Sequence, residues 1–499
     1  MAVWRKCRGL SLIICFSIVV SSCAQYTDEA RKSENADTKD FQLFGEEKNA
    51  FGNIMAPSDF DWRSCEGITL DFIVENNINA NILSKESEKF TAVTGINVRI
   101  RNMDFATMKE KISIEFISQI GQYELIYLDP YQTLPIFKDY LEDLSYYEED
   151  ERLPHIVGGL ESFLPEQVEV CSFYKDKEKL YAIPFDSTTM VLYYRKDIFE
   201  KYGEQMEREL GYLPTPGSLE FTWERYLEVS DWIGKNVDET QIRYPSITMS
   251  ADHNSIYTEF SNYVSAYGGD YFKPVDLGLL GGEQGYELMS DTEEFVQALT
   301  MYKKAVHAAK MEEGLTWAET ANLFQNGEVA MMLNWDENAA KMENEKHSKV
   351  AGKTGYSILP YGSKRSANIY GGSGIGINKH VSEEKKLAAW MFIVWCTSPQ
   401  VQIHTFLEED GGNMPTRRNL QQLIFASYMV KLPQAQAVIT AQKPAHVYYR
   451  PKIEQGYEFE MLIQRNLREY ISEDISAEEI GEKMKAEWNT IVESRELVE

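Results

Sequence analysis

Ile68, Leu70, Phe72 and Val74 recur at every second position, the spacing of side chains on one face of a strand. A polar turn, Glu75-Asn76-Asn77, leads into a helix through Phe90, and Thr94-Gly95 stops it. Ile96-Asn97-Val98-Arg99-Ile100 alternates again, and a second helix runs to about Ile120. A mostly apolar and aromatic run, Tyr123 to Leu128, then ends at Asp129-Pro130. Strands separated by helices of this length need crossover connections. The order therefore predicts an α/β fold with a largely parallel sheet and helices on both faces. Ligands of such sheets bind at the carboxyl ends of strands, where Glu75–Asn77 and Asp129–Tyr131 fall.

The chain has 499 residues, more than one comfortable core holds, so two lobes are expected. Phe295, Leu299, Tyr302, Val306 and Ala309 mark one face of a later helix. Near the end, Ser476-Ala477-Glu478-Glu479 forms a capping box, in which Ser and Glu satisfy two free amides. Behind it Ile480, Met484, Trp488 and Ile491 form an amphipathic stripe. Both stripes read as core.

The first residues read as a processing signal. Arg5-Lys6 precede an apolar run from Leu10 to Val20, and Val20-Ser21-Ser22 precede Cys23. The run is shorter than the roughly 18 apolar residues of a spanning helix. Small residues before Cys23 resemble a bacterial lipoprotein signal, which implies a peptide at 1–22 and acylation of Cys23. Residues 23–58, polar and aperiodic, read as a flexible spacer. The formal net charge is −28, and loss of Arg5, Lys6 and Arg8 with the signal makes it more negative. Such a surface repels phosphate backbones and anionic lipid head groups, which argues against nucleic-acid binding and leaves membrane attachment to the lipid. Cys65, Cys171 and Cys396 form neither a zinc pattern nor a disulfide framework, and a Cys65–Cys171 bridge is left open.

No HExxH, Walker loop or GxSxG occurs. The seven histidines are scattered without metal-ligand spacing. Gly371-Gly372-Ser373-Gly374-Ile375-Gly376 lacks the spacing and flanks of a dinucleotide loop. It reads instead as close approach of a strand to a neighbour or ligand, or as a hinge.

With these segments in place the chain resembles the family 1 extracellular solute-binding proteins of bacterial ABC sugar importers. The likeness runs from about Ile68 to Glu493 and rests on ordered motifs. They are Glu88-Lys89-Phe90 to Thr94-Gly95-Ile96-Asn97-Val98, Tyr123 to Asp129, Leu141-Glu142-Asp143-Leu144, Tyr181-Ala182-Ile183-Pro184, Leu192 to Phe199 and Thr222-Trp223-Glu224. The most recognisable is Phe324-Gln325-Asn326-Gly327-Glu328-Val329-Ala330-Met331-Met332 to Asn334-Trp335. The glycine run, Ala388-Ala389-Trp390 and Met414-Pro415-Thr416-Arg417 follow in order. Val350-Ala351-Gly352-Lys353 and Tyr449-Arg450-Pro451 are similar to a polyol and sugar branch.

The resemblance implies a two-lobed periplasmic-binding-protein-like fold with a ligand cleft between lobes joined by crossing segments. The first lobe would be 59–186 and 372–414, the second 187–371 and 415–499. It implies a monomer without catalytic activity or cofactor. Lobe closure would capture a sugar, oligosaccharide or polyol and present it to the transmembrane subunits of an ABC permease, on the extracytoplasmic face of a bacterial membrane or in the periplasm. Two rivals stand beside it: a secreted glycosidase, and the same fold serving a peptide, a metal ion or a sensor kinase.

Sugars present C–H faces and hydroxyl rims, so their sites use flat rings and planar polar side chains. Trp335 fits the first role, and Asp336 beside it can accept hydroxyl protons. Asn76 and Asn77 occupy the first strand-end loop, Asp129 and Tyr131 the second. By resemblance His253, Asn254 and Tyr257 come from the second lobe, Gly372 and Ser373 offer backbone amides, and Arg417 bridges a hydroxyl or an acidic sugar. The glycine-rich segment from Gly268-Gly269 to Gly285 departs from the family pattern and is expected to shape the cleft rim.

Overall fold

The structure is a computed structural model that describes residues 54–272, 278–282, 286–408, 411, 414–427 and 433–496. The signal peptide, Cys23 and all but the last residues of the spacer lie outside the described residues, as do two parts of the 268–285 segment. The strands are Thr69–Glu75 (β1), Asn97–Met103 (β2), Leu125–Leu128 (β3), Ile183–Asp186 (β4), Met190–Arg195 (β5), Tyr244–Ile247 (β6), Val329–Trp335 (β7), Thr354–Ser357 (β8), Asn368–Ile369 (β9), Ser373–Ile377 (β10) and Val447–Tyr448 (β11).

They form two main sheets. The first has the order β2-β1-β3-β10-β4, the second β6-β7-β5-β8, and β11-β9 makes a short ribbon. β1 pairs in parallel with β2 and β3, as the strand–helix–strand order predicts. β10 runs antiparallel to both β3 and β4, so the sheet is mixed where a largely parallel one was expected. The reason lies in the chain path. β4 leaves the first sheet for β5 of the second, and the chain returns through Tyr370–Gly372 at that same end, so β10 must run back against its neighbours. The second sheet is mixed too, with β7 parallel to β6 and antiparallel to β5.

Local chemistry explains the elements that frame the site. Leu70, Phe72, Ile73 and Val74 of β1 are fully buried, so this central strand has apolar contacts on both faces. The helix Ile78–Thr94 is capped by the Asn77 side chain, which accepts the Ala80 N–H at 2.9 Å. Gly95 ends that helix at φ +72°, and its N–H donates to Thr91 O. β2 is an edge strand, and its Arg99 and Arg101 reach back to Asp71, placing charge where another strand would otherwise add.

The second sheet packs under an aromatic cluster. Trp223 stacks on Tyr263 at 4.1 Å between ring centroids, and Phe260, Tyr271, Phe295, Tyr302, Phe459 and Trp488 continue it. Phe295, Leu299 and Tyr302 of one stripe and Ile480, Met484 and Trp488 of the other are all buried in it. The Ser476 capping box forms: Glu479 N–H donates to Ser476 Oγ, and Ser476 N–H to the Glu479 carboxylate. In the glycine run a Cβ at Gly374 would meet Ala182 at 2.7 Å and one at Gly376 would meet Leu128 at 2.6 Å. These glycines let β10 press against its neighbours. Cys65, Cys171 and Cys396 are buried free thiols.

Candidate functional site

Strand ends from both sheets converge on one narrow pocket. β1 ends in Glu75, β3 runs into Asp129, β4 ends in Asp186, and β7 ends in Trp335 just before Glu337. The return segment adds Gly371 and Gly372, the start of helix Ser255–Ala266 adds Asn254 and Thr258, and Arg450 follows β11. Phe105, Tyr127, Gln132, Thr188 and Trp317 complete the lining. The walls leave only about 40 Å³ for the centres of water-sized molecules, room for roughly two or three waters. A larger hollow, walled by Val306, His307, Lys310, Arg468 and Ser472 among others, shares no residue with this pocket and touches none of these strand ends.

One wall is aromatic. The Trp317 and Trp335 rings lie edge to face with centroids 6.5 Å apart. Trp335 is held by its backbone, since its carbonyl accepts the Tyr193 hydroxyl at 2.6 Å and its N–H donates to Asn334. Gly371 is required beside it, because a Cβ there would sit 2.6 Å from Thr188 Cγ2 and 3.0 Å from the indole. Trp317 is the first residue of its helix, fixed by a capping box between Thr316 and Glu319.

One end of the pocket is organised around a guanidinium. Asp129 Oδ1 accepts the N–H groups of Tyr131 and Gln132 at 2.8 and 2.7 Å, and Oδ2 lies 4.0 Å from Arg450. Arg450 rests on the Tyr131 ring at 4.5 Å and near the Tyr257 ring at 5.7 Å. Lys109 donates to Gln132 Oε1 at 2.7 Å and lies 3.6 Å from Glu460. Of the residues lining the pocket, Gln132 Nε2, Asn254 Oδ1 and Arg450 Nε are buried without a hydrogen-bond partner.

The other end is acidic. Burial, followed by the nearby charges of Asp186, Asp129 and Asp104, pushes the Glu75 carboxyl up to about 8. Burial and then Asp186, Glu75 and Asp336 hold Glu337 well above the usual carboxylate range. Both keep part of their surface open. Tyr127 donates its hydroxyl to Asp186 at 3.2 Å between them.

Of the residues that sequence reasoning singled out, Asp129, Asn254, Trp335 and Gly372 line this pocket. Tyr131 and Tyr257 stand behind Arg450, and His253 packs edge-on against Trp317 at 4.5 Å. The others have different surroundings. Asn76 is exposed and accepts from Asn81, and Asn77 caps its helix. Asp336 is fully buried, accepting the Thr189 N–H at 2.6 Å and the Thr188 hydroxyl at 3.2 Å, and burial pushes it up to about 7. Ser373 is buried at the start of β10. Arg417 donates to Thr397 O, Val157 O and Ser162 Oγ, each at 2.6 Å, which ties segments together away from the pocket. Sequence reasoning named Glu75 only as part of the first strand-end loop and Arg450 only within the Tyr449-Arg450-Pro451 motif, and it passed over Asp186, Trp317 and Glu337. Thr316-Trp317-Ala318-Glu319 carries a readable capping box that fixes Trp317 at a helix start.

Comparisons with known proteins agree with this architecture. The fold is that of two-lobed periplasmic binding proteins. Maltose-bound MalE3 of T. maritima matches with TM-score 0.67 and 24% identity, covering 85% of this chain and 100% of the other. A D-mannitol-bound solute-binding protein of Agrobacterium vitis matches with TM-score 0.67 and 19% identity, covering 86% and 99%. Residues 87–436 match the model of the bacterial extracellular solute-binding protein family, and the chain belongs to that family. A probable amino-acid ABC transporter periplasmic-binding protein of Sinorhizobium fredii is 21% identical over 63% of this chain and 65% of its own length, just under two thirds. A mannitol-binding protein of Pseudomonas aeruginosa is 22% identical over 69% and 72%.

Proposed function

We propose that this protein is the carbohydrate-capturing component of an ABC importer, held by a lipid on Cys23 at the extracytoplasmic face of a bacterial membrane. The observation that carries the reading is the pairing of the Trp317–Trp335 wall with buried, unpartnered polar atoms at Gln132, Asn254 and Arg450. Each such atom costs about 1–3 kcal/mol while unsatisfied. A ligand with hydroxyls on its rim and C–H groups on its face relieves both costs at once. Sugar- and polyol-binding relatives in the comparisons support the same class.

Lobes at 59–186 with 372–414 and at 187–371 with 415–499 would part to admit a ring, because the pocket is too narrow for one as it stands. A sugar touching both walls favours the closed form, and closure presents the lobes to the permease. No chemistry is required of the chain, and no cofactor.

The test is isothermal titration with a panel of sugars, oligosaccharides and polyols, repeated with Trp335→Ala and Trp317→Ala. At least one member should bind, and each substitution should weaken it by about 1 kcal/mol or more. Silence across the panel would sink the carbohydrate reading, and shortened oligosaccharide after incubation would sink the binding-only reading in favour of a glycosidase. Release of the protein from membranes by Cys23→Ser checks the anchor.

A further inference from the structure

Glu75, at the end of β1 of the first sheet, and Glu337, just past β7 of the second, line the same pocket, and Asp186 at the end of β4 lines it with them. Among the described residues neither Glu75 nor Glu337 makes an ion pair. The charges that bear on Glu337 are Asp186, Glu75 and Asp336, and those on Glu75 are Asp186, Asp129 and Asp104. All are acidic. The nearby cations are committed elsewhere: Arg450 to Asp129 and the Tyr131 ring, Lys109 to Gln132 and Glu460.

A second observation is independent of these acids. Asn254 is 9% exposed and lines the same pocket, and its Oδ1 accepts no hydrogen bond. The pocket therefore holds an acceptor that needs a donor as well as a surplus of carboxyl groups. Trp335, Trp317, Tyr127 and Phe105 line the same pocket. Aromatic faces beside carboxylates form the environment that attracts an ammonium group, because ring quadrupole and carboxylate charge act in the same sense.

We propose that the cargo is an amino sugar, a polyhydroxylated ring bearing a protonated amine, with the amine seated between Glu75, Asp186 and Glu337. This rests on the carbohydrate reading above and narrows it. The ring hydroxyls meet Asn254, Gln132 and Arg450, and a C–H face meets the indoles. A neutral sugar would leave the acidic end to be relieved by protons alone.

The test is isothermal titration of the protein with three matched ligands at pH 7: a glucosamine oligosaccharide, its N-acetylated form and the neutral glucose counterpart. A plain diamine is added as a fourth arm. The amine form should bind about tenfold or more tightly than either ring lacking the charge. In Glu75→Gln/Glu337→Gln, which loses buried charge and so should remain folded, that preference should shrink to about threefold or less. If a neutral or acetylated ring binds equally well or better, the amino-sugar inference is overturned and the carbohydrate reading stands. An unchanged preference in the double variant overturns the placement of the amine. A diamine as tight as the amino sugar, or silence in all four arms, overturns both readings.

Discussion

At one end of the cleft Asp129 divides its carboxylate between two backbone N–H groups and the Arg450 guanidinium. At the other, Glu75 and Glu337 face Asp186 and Asp336 with no cation bearing on them. Both ends remove carboxyl groups from water, yet the consequences differ. An acid supplied with donors fastens the segments around it, whereas burial among other acids pushes the Glu75 and Glu337 carboxyls up. Carboxylic acids thus meet donors at one end and other acids at the other.

The largest effect should come from breaking the fastened end. Arg450→Ala leaves Asp129 and Glu460 buried without their guanidinium and should cost about 3–5 kcal/mol in denaturant unfolding. A loss below about 1 kcal/mol would erase the distinction between the ends.

The acidic end should instead show itself in pH dependence. Glu75, at about 8, and Asp336, at about 7, hold protons more tightly folded than unfolded, where carboxyls titrate near about 4. The folded state therefore binds more protons between those values, and stability should fall as pH rises from 5 to 7. Glu259, buried and likewise pushed up to about 8, adds to the slope from the second-sheet core. Lys452, pulled down by burial to about 7, acts in the opposite sense only above pH 7. Thermal midpoints at pH 5 and pH 7 would measure this, and Glu75→Gln should flatten the trend.

A smaller effect is expected of Glu337→Gln, which removes a crowded acid and should raise stability at pH 7 by about 1 kcal/mol. A marked loss would mean that Glu337 is fastened like Asp129. Least of all, Glu454→Gln releases Lys138 and Lys175, 2.9 and 3.2 Å away, from partly exposed ion pairs. It should cost about 0.5 kcal/mol and make the unliganded lobes open more in solution scattering.

Much of the frame was readable because its causes are local. Alternation at Ile68–Val74, the Thr94-Gly95 stop and the Ser476 box each involve residues a few positions apart. Trp335 and Asp129 were readable as strand-end residues for the same reason. The neighbouring Asp336 drew attention by its type, but its carboxylate accepts the Thr189 N–H and the Thr188 hydroxyl, while Glu337 reaches the pocket. Arg417 likewise has the chemistry of a ligand contact, and its three hydrogen bonds to distant segments could not be seen from its neighbours.

Near-neighbour patterns in the amino-acid sequence suffice to mark stretches that become strands and helices and to direct attention to the strand-end loops. That β10 runs against the sheet, that Arg450 comes to lie beside Asp129, and that Glu75, Asp186 and Glu337 line one pocket follows from how distant segments assemble. Periodicity and capping act between near neighbours in the chain. Desolvation and Coulomb interactions depend on distance in space, and folding alone sets those distances.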